Sequence, residues 1–352
     1  MFKNLLLYRL GAEWSATIED VNAALDQGRF VACGTTQPIS SGWVEPRGEA
    51  HAPLCEVVDG QWLMRLMVER KVVPGSVIKQ RIDELAARVE TETGRAPGKK
   101  QKKELKDQAL LELLPMAFAK RGSVGVWISR PERLLAIDAG SAGMADEVLT
   151  LLAKALPGFT ATVVNTAISP AVAMADWLVS GEPPSNFTVD RDCELKAADG
   201  EKPVVRYARH PLDIAEIREH IAAGKQPTRL ALTWNDRVSF VLTEGLQVKK
   251  LAFLDGVYEG RVAQKGENFE ADAAIATGEL APLVGELIEA LGGEQVIGAA
   301  AAPSPAASPT ASPAPAGTAV PPAPAKPSAA PSAVASGLTT SGDLPPWESA
   351  AA

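Results

Sequence analysis

TRLALTWNDRVSFVLTEGLQVKKLAFL, residues Thr228–Leu254, decides the fold class. Its three runs, Thr228 to Trp234, Arg237 to Leu242 and Gln247 to Leu254, are rich in β-branched and aromatic residues and are separated by the turn signals Asn235-Asp236 and Glu244-Gly245. Connections this short return a strand alongside its predecessor, so the stretch predicts an antiparallel meander. Helical periods occur elsewhere in the chain without the regular βαβ alternation of a parallel sheet. The expected class is therefore α+β with mixed sheets.

Working backwards from the meander, a helix is expected over Asp213 to Ala222 and an extended run over Val204 to Tyr207. A strand begins at Asn186 to Val189, and the charged segment DRDCELKAADGEKP (190–203) interrupts it. Pro170 to Val179 and Ser141 to Leu156 carry helical spacing, the second closed by Pro157 and Gly158. Phe159 to Val164, Ser123 to Ile128 and Arg133 to Asp138 are expected strands. At the start, Phe2 to Leu10 predicts a strand, and Thr17 to Gln27 a helix with Ile18, Val21 and Leu25 on one face. The segment QPISSGWVEPRGEA (37–50) is expected to be turn-rich, because Pro38, Gly42, Pro46 and Gly48 break either regular period, with Trp43 folded over the core. Asp59-Gly60 supplies a turn into a strand over Gln61 to Val73.

Past the meander, Phe269 to Leu291 predicts a helix interrupted by Gly278 and Gly285 and ended by Gly292 and Gly293. Its Leu280, Leu283, Leu287 and Leu291 would face either the monomer core or a second subunit. Beyond about Ile297 the Ala/Pro/Ser tract has too few large side chains to offset its ordering entropy, so a disordered tail is expected, with Trp347 in its last residues.

Between the strands lies a helical pair. Pro74 opens a helix with Val77, Ile78, Ile82, Leu85 and Val89 on one face. Gly94, Pro97 and Gly98 break it, and a second helix carries Leu105, Ala109, Leu110, Leu113 and Leu114 before Pro115. The expectation is a projecting αα-hairpin. Its joint and second helix, RAPGKKQKKELKDQALLELLPMAFAKR (Arg95–Arg121), concentrate Lys99, Lys100, Lys102, Lys103 and Lys106 in a chain whose formal net charge is −8. A local cation excess against the global balance suggests a polyanion such as a nucleic-acid backbone; the ordinary alternative is a solvated helix face, as on a protein-interaction scaffold whose lysines merely solubilise the projecting hairpin. Lys120 and Arg121, Arg206 and Arg209, and Lys249 and Lys250 would extend a DNA-binding track if they face a common surface.

No phosphate-loop, dinucleotide, zinc-protease or nucleophile-elbow motif occurs, and no cofactor is implied. His51, His210 and His220 form no recognisable metal set, and Cys33, Cys55 and Cys193, without a CxxC pair, suit a reducing compartment. Asp255, Glu259, Glu267, Glu270 and Asp272 could serve a metal-dependent nuclease, although nothing fixes their spacing into a site. Neither a signal peptide nor a membrane span is expected.

Several segments in order resemble the bacterial recombination-associated RdgC family: FKNLLLYRL, GWVEP, KVVPGSVIKQRIDELAARVE, KKQKKELKDQALLELLPMAF, LALTWNDRVSFVLTE, QVKKLAFLD and FEADAAIATGELAPLVGELIEALGGE, spanning about residues 1 to 294. The resemblance implies a horseshoe-like subunit and a ring-shaped homodimer around a basic hole that surrounds double-stranded DNA, with single-stranded DNA as a further possible ligand. It implies a non-catalytic, sequence-nonspecific DNA binder that limits RecA access, takes part in recombination or replication-fork maintenance, and resides in the cytoplasm on the nucleoid. It places Phe118 at one subunit contact, and Arg209 and His210 in the same gate region, where His210 replaces an amide-bearing side chain. The implied divisions are 1–73 (N-terminal part of the body), 74–118 (hairpin), 119–254 (body and gate), 255–296 (C-terminal dimerisation region) and 297–352 (tail).

Overall fold

The computed structural model of the chain describes residues 2–197, 203–257 and 269–295. The expected tail, with Trp347, lies outside the described residues, as do Glu259 and Glu267. In chain order the elements are β1 (Leu6–Leu10), α1 (Ile18–Asp26), β2 (Ile39–Val44), β3 (Cys55–Val58), β4 (Gln61–Val72), α2 (Gly75–Thr93), α3 (Lys99–Leu113) and β5 (Phe118–Ser129). They continue with β6 (Leu134–Ile137), α4 (Ala142–Ala155), β7 (Ala161–Val163), α5 (Pro170–Ser180), β8 (Phe187–Ala197) and β9 (Val204–Tyr207). The described chain closes with α6 (Ala215–Ala222), β10 (Lys225–Trp234), β11 (Val238–Thr243), β12 (Val248–Phe253) and α7 (Phe269–Ala290). The mixed α+β class expected from the sequence is the class observed.

Two antiparallel sheets organise these elements. The seven-stranded sheet runs β2-β4-β5-β6-β1-β7, with β3 sharing the edge of β4 with β2. Strand β4 is long enough for both: β3 pairs with its residues 61–64 and β2 with 65–70. The five-stranded sheet runs β12-β11-β10-β8-β9, and β10 to β12 are the predicted meander. Asn235 and Asp236 both take positive φ, as a two-residue hairpin turn requires. The sheets are stitched together where Leu5 and Val248 exchange both backbone hydrogen bonds, at 2.8 and 3.1 Å.

Alternation along the strands divides the interior into two cores. One face of the seven-stranded sheet, with Leu6, Tyr8, Leu66 and Val126, packs against Val21 and Leu25 of α1 and Val148 and Leu152 of α4. The other face contributes Leu7, Leu63, Trp127 and Ala136 to a core shared with the inner face of the five-stranded sheet and with α5, α6 and α7. Helix α1 is held by a capping box in which the Thr17 hydroxyl accepts from the Asp20 N–H and the Asp20 carboxylate accepts from the Thr17 N–H. Helices α2 and α3 bury a small core of their own, Leu85, Leu105 and Ala109 with Ile82, Ala86 and Val89 around them. Arg81 near the start of α2 pairs with Glu112 near the end of α3 at 2.6 Å, so the two helices lie antiparallel.

Four local expectations are corrected. The turn-rich 37–50 segment contains strand β2, because Gly42 lets it press against the backbone of residues 28–30: a Cβ there would stand 2.5 Å from the Phe30 Cα. Trp43 accepts from the Phe30 N–H and donates to the Gly28 carbonyl on one side, while β2 pairs with β4 on the other. Trp43 is nevertheless buried over the core as expected, but from a strand rather than a loop. The charged 190–203 segment does not end β8 at Val189; the strand continues to Ala197, with Cys193 and Leu195 turned into the core and the charges outward. Strand β5 starts at Phe118 rather than Ser123, pairing Phe118 with Val72 and every residue up to Ser129 with Gln61 in unbroken register. Helix α7 passes Gly278, Pro282 and Gly285 without a break, and its Leu280, Leu283, Leu287 and Leu291 lie in the chain's own core. The short strand β3 was absent from the sequence reading, since four residues are too few to show a period.

Candidate nucleic-acid interface

The five-stranded sheet has one inner and one open face. Leu230 and Leu232 on β10, Phe240 and Leu242 on β11, and Val248 and Leu251 on β12 go inward. The period of two therefore sends Arg229, Ala231 and Thr233, Val241 and Thr243, and Lys249 outward. Cross-strand pairing then builds a row, Arg206 opposite Glu194, Glu194 opposite Arg229 and Arg229 opposite Thr243, with Lys249 opposite Val241. Two depressions on this face are lined by β8, β10, β11, β12, their flanking loops and, in the first, Arg209 of the loop after β9.

The first depression brings together Arg209 and Lys250 of the predicted track and adds Arg191, alongside Asp190 and Asp192. Lys250 takes φ +53° at a β-bulge between β11 and β12. Arg209, at φ +55°, is held by its N–H on the Asp192 carboxylate at 2.7 Å, and the His210 N–H bonds the Arg191 carbonyl at 3.0 Å. His210 is exposed, and its Nδ1 lies 2.8 Å from the Pro211 carbonyl. The second depression holds Lys249 with Lys196 and Arg229, beside Glu194 and Glu244. Glu194 accepts from the Arg206 Nε at 2.6 Å and the Thr228 hydroxyl at 2.9 Å, with the Arg229 Nε at 4.0 Å. Its burial works against ionisation, but these hydrogen bonds and the Arg229 charge prevail and hold the carboxyl below the usual glutamate range.

Arg191, Lys196 and Arg229 were missed in the sequence. The signal for Arg229 was present, since inward Leu230 and Leu232 oblige it to point outward. For Arg191 and Lys196 it was hidden by reading the charged segment as the end of the strand.

The other predicted residues stand elsewhere. Lys99, Lys100, Lys102, Lys103 and Lys106 are all exposed on α3, and none has an ion-pair partner among the described residues. Four of them crowd the first turns of a helix whose N-cap, Gly98, supplies no side-chain cap, where the helix dipole is positive and cations are unfavourable. Lys120 and Arg121 occupy adjacent positions of β5 and so point to opposite faces, which splits a pair expected to act together. Arg121 is tied to the buried Glu69 at 2.6 Å and stacks over Phe30. Phe118 is 87% exposed beside its cross-strand neighbour Val72, with Met116 also exposed at 75%. Within one chain it belongs to the seven-stranded sheet, whereas Arg209 and His210 belong to the loop after β9.

Burial pushes the Cys55 and Cys193 thiols up to about 12, so both behave as small apolar groups. No group of three or more His, Cys, Asp or Glu is arranged to hold a metal ion among the described residues. Glu270, one of the candidate nuclease carboxylates, is paired with Arg47 at 2.6 Å. No helix among the described residues is long and apolar enough to cross a membrane.

The comparisons with known proteins agree on one family, while its model and its named relatives are described by different activities. A family model described as "Putative exonuclease, RdgC" matches residues 1–294. Proteins named "Recombination-associated protein RdgC" include one from Dechloromonas aromatica, 46% identical over 303 residues, covering 84% of this chain and 98% of the relative. One from Cupriavidus pinatubonensis is 44% identical over 297 residues (84% and 99%), and one from Bordetella pertussis is 40% identical over 297 residues (84% and 99%).

Proposed function

The chain belongs to the RdgC family of recombination-associated proteins, and from that membership and its placement of cations we propose a non-catalytic protein that encircles duplex DNA as a ring-shaped homodimer. The observation that carries the reading is the open face of the five-stranded sheet, where Arg191, Lys196, Arg206, Arg209, Arg229, Lys249 and Lys250 gather in a chain of net charge −8. Contacts of this kind neutralise phosphates and carry no base-edge information, so binding is sequence-nonspecific and salt-dependent. The unpaired lysines of α3, on a helical hairpin projecting from the body, are a second contact: a polyanion relieves their repulsion from the helix N-terminus. Phe118 on one subunit meets the Arg209–His210 loop of the other and closes one contact of the ring; the α7 leucines, being internal, leave any second contact to other faces of the C-terminal region. Occupying the duplex in this way limits RecA access during recombination, in the cytoplasm and on the nucleoid.

Affinity for two unrelated duplexes across 50 to 200 mM salt tests the reading. With about six to ten phosphates neutralised, both should lose roughly 10³- to 10⁵-fold together. Salt-insensitive binding, or a preference for one sequence that persists at matched salt, would overturn it. The exonuclease named in the family's description is the second reading. Protein-dependent shortening of end-labelled linear DNA with Mg²⁺ or Mn²⁺ would establish that reading instead.

A further inference from the structure

We propose that the depression between β8, β10 and β12 is a discrete binding site for one backbone phosphate of a nucleic acid, and that Glu194 is its built-in competitor, holding the arginines the phosphate must take. The inference rests on the DNA-binding reading above and adds to it a named subsite and a residue that limits affinity.

Lys196, Arg229 and Lys249 converge on one depression from three strands, with Arg206 reaching the same carboxylate from β9. Glu194 sits among them with its side chain only 15% exposed, whereas Arg206 and Arg229 are 71% and 56% exposed. The carboxylate is thus fixed below the guanidinium groups while their outer N–H donors remain turned to solvent. Thr228, itself buried, orients the carboxylate through its hydroxyl. A phosphate arriving from solvent meets Arg229 and Lys249 directly and draws Arg206 away from Glu194. Glu244 also faces the depression and adds a weaker repulsion from its rim. Among the described residues Lys196 has no ion-pair partner, and Lys249 makes only a 3.5 Å contact with the Gly140 carbonyl. Both are available to an incoming anion.

Glu194→Gln keeps an acceptor for Arg206 and Thr228 while removing the charge. The full chain carrying it should bind a duplex about three- to tenfold more tightly at 100 mM salt than the native protein, with a salt slope steeper by roughly one phosphate. Arg229→Gln should weaken binding and flatten the slope by about one. Glu13→Gln, which removes one carboxylate charge from the exposed loop before α1, should leave both quantities unchanged. Thermal melting of each variant confirms that the fold is retained. If the native chain binds DNA but Glu194→Gln matches it, or gains no more than Glu13→Gln, the competitor role is wrong and the DNA-binding reading stands. If the native chain binds no duplex at any salt, that reading itself fails.

Discussion

Gly42 stands where the backbone of β2 touches the backbone of residues 28–30, and a methyl group there would lie 2.5 Å from the Phe30 Cα and 2.6 Å from its nitrogen. Backbone cannot rotate away as a side chain can, so Gly42→Ala should destabilise the protein by about 1–3 kcal/mol, read as a lower urea midpoint with an unchanged m-value. Glu194 gives a residue-scale prediction of the opposite chemical kind. Its folded-state carboxyl titrates below the ordinary value of 4.5, so its contribution to stability is complete above that pH and is lost as pH falls through the lowered value. The stability gap between the native protein and Glu194→Gln should therefore shrink below pH 4.5, as acid titration followed by denaturation would reveal. A gap that is constant with pH would mean the carboxylate is not held by Arg206 and Thr228. At this scale the sequence was legible wherever a side chain's type set its fate: Asp59-Gly60 as a turn, Trp43 as core. It was opaque for Gly42, whose role depends on a neighbour that only the fold supplies.

Elements were legible in proportion to their apolar periodicity. Helices α2 and α3 and the β10–β12 meander carry a clear period and were found with small boundary differences. Strands β2, β3, the charged half of β8 and the first residues of β5 were not, because their apolar side chains are too few, or too interrupted by small and charged residues, to show a period, and pairing with a neighbouring strand completes them. Residues 118–123 are exposed on both faces, so no alternation existed to be read. The same gap hid two of the seven cations of the candidate site, since Arg191 and Lys196 become neighbours of Arg209 and Lys249 only once β8 is continuous. Helix α3 provides the element-scale prediction. Neutralising Lys99, Lys100, Lys102, Lys103 and Lys106 together with Gln should weaken duplex binding and lower the salt slope by up to about 4.5, while the internal contacts of Leu105 and Ala109 keep the helix pair folded. Circular dichroism checks the second clause; unchanged affinity at every salt concentration would reduce the lysines to a solvated surface.

Across the described residues, the two sheets and the cores on either face of the larger one hold most of the large apolar side chains, so those left outside become informative. Among the described residues Phe118 and Met116 are the most exposed large apolar side chains, ahead of Val31, and with Val72, the cross-strand neighbour of Phe118, they offer the kind of apolar surface that a subunit contact covers. Phe118→Asp should shift the protein toward monomer in sedimentation velocity at micromolar concentration without lowering its melting temperature; an unchanged dimer would move the contact elsewhere. The sequence could not show closure of a ring, because closure depends on two copies and on curvature rather than on any run of residues. Encirclement is tested most directly by loading the protein on a closed circular duplex, raising the salt until phosphate contacts fail, and then cutting the circle once. The proposed ring predicts retention on the intact circle and release on cutting. Equal loss from circular and linear DNA at the same salt would contradict it.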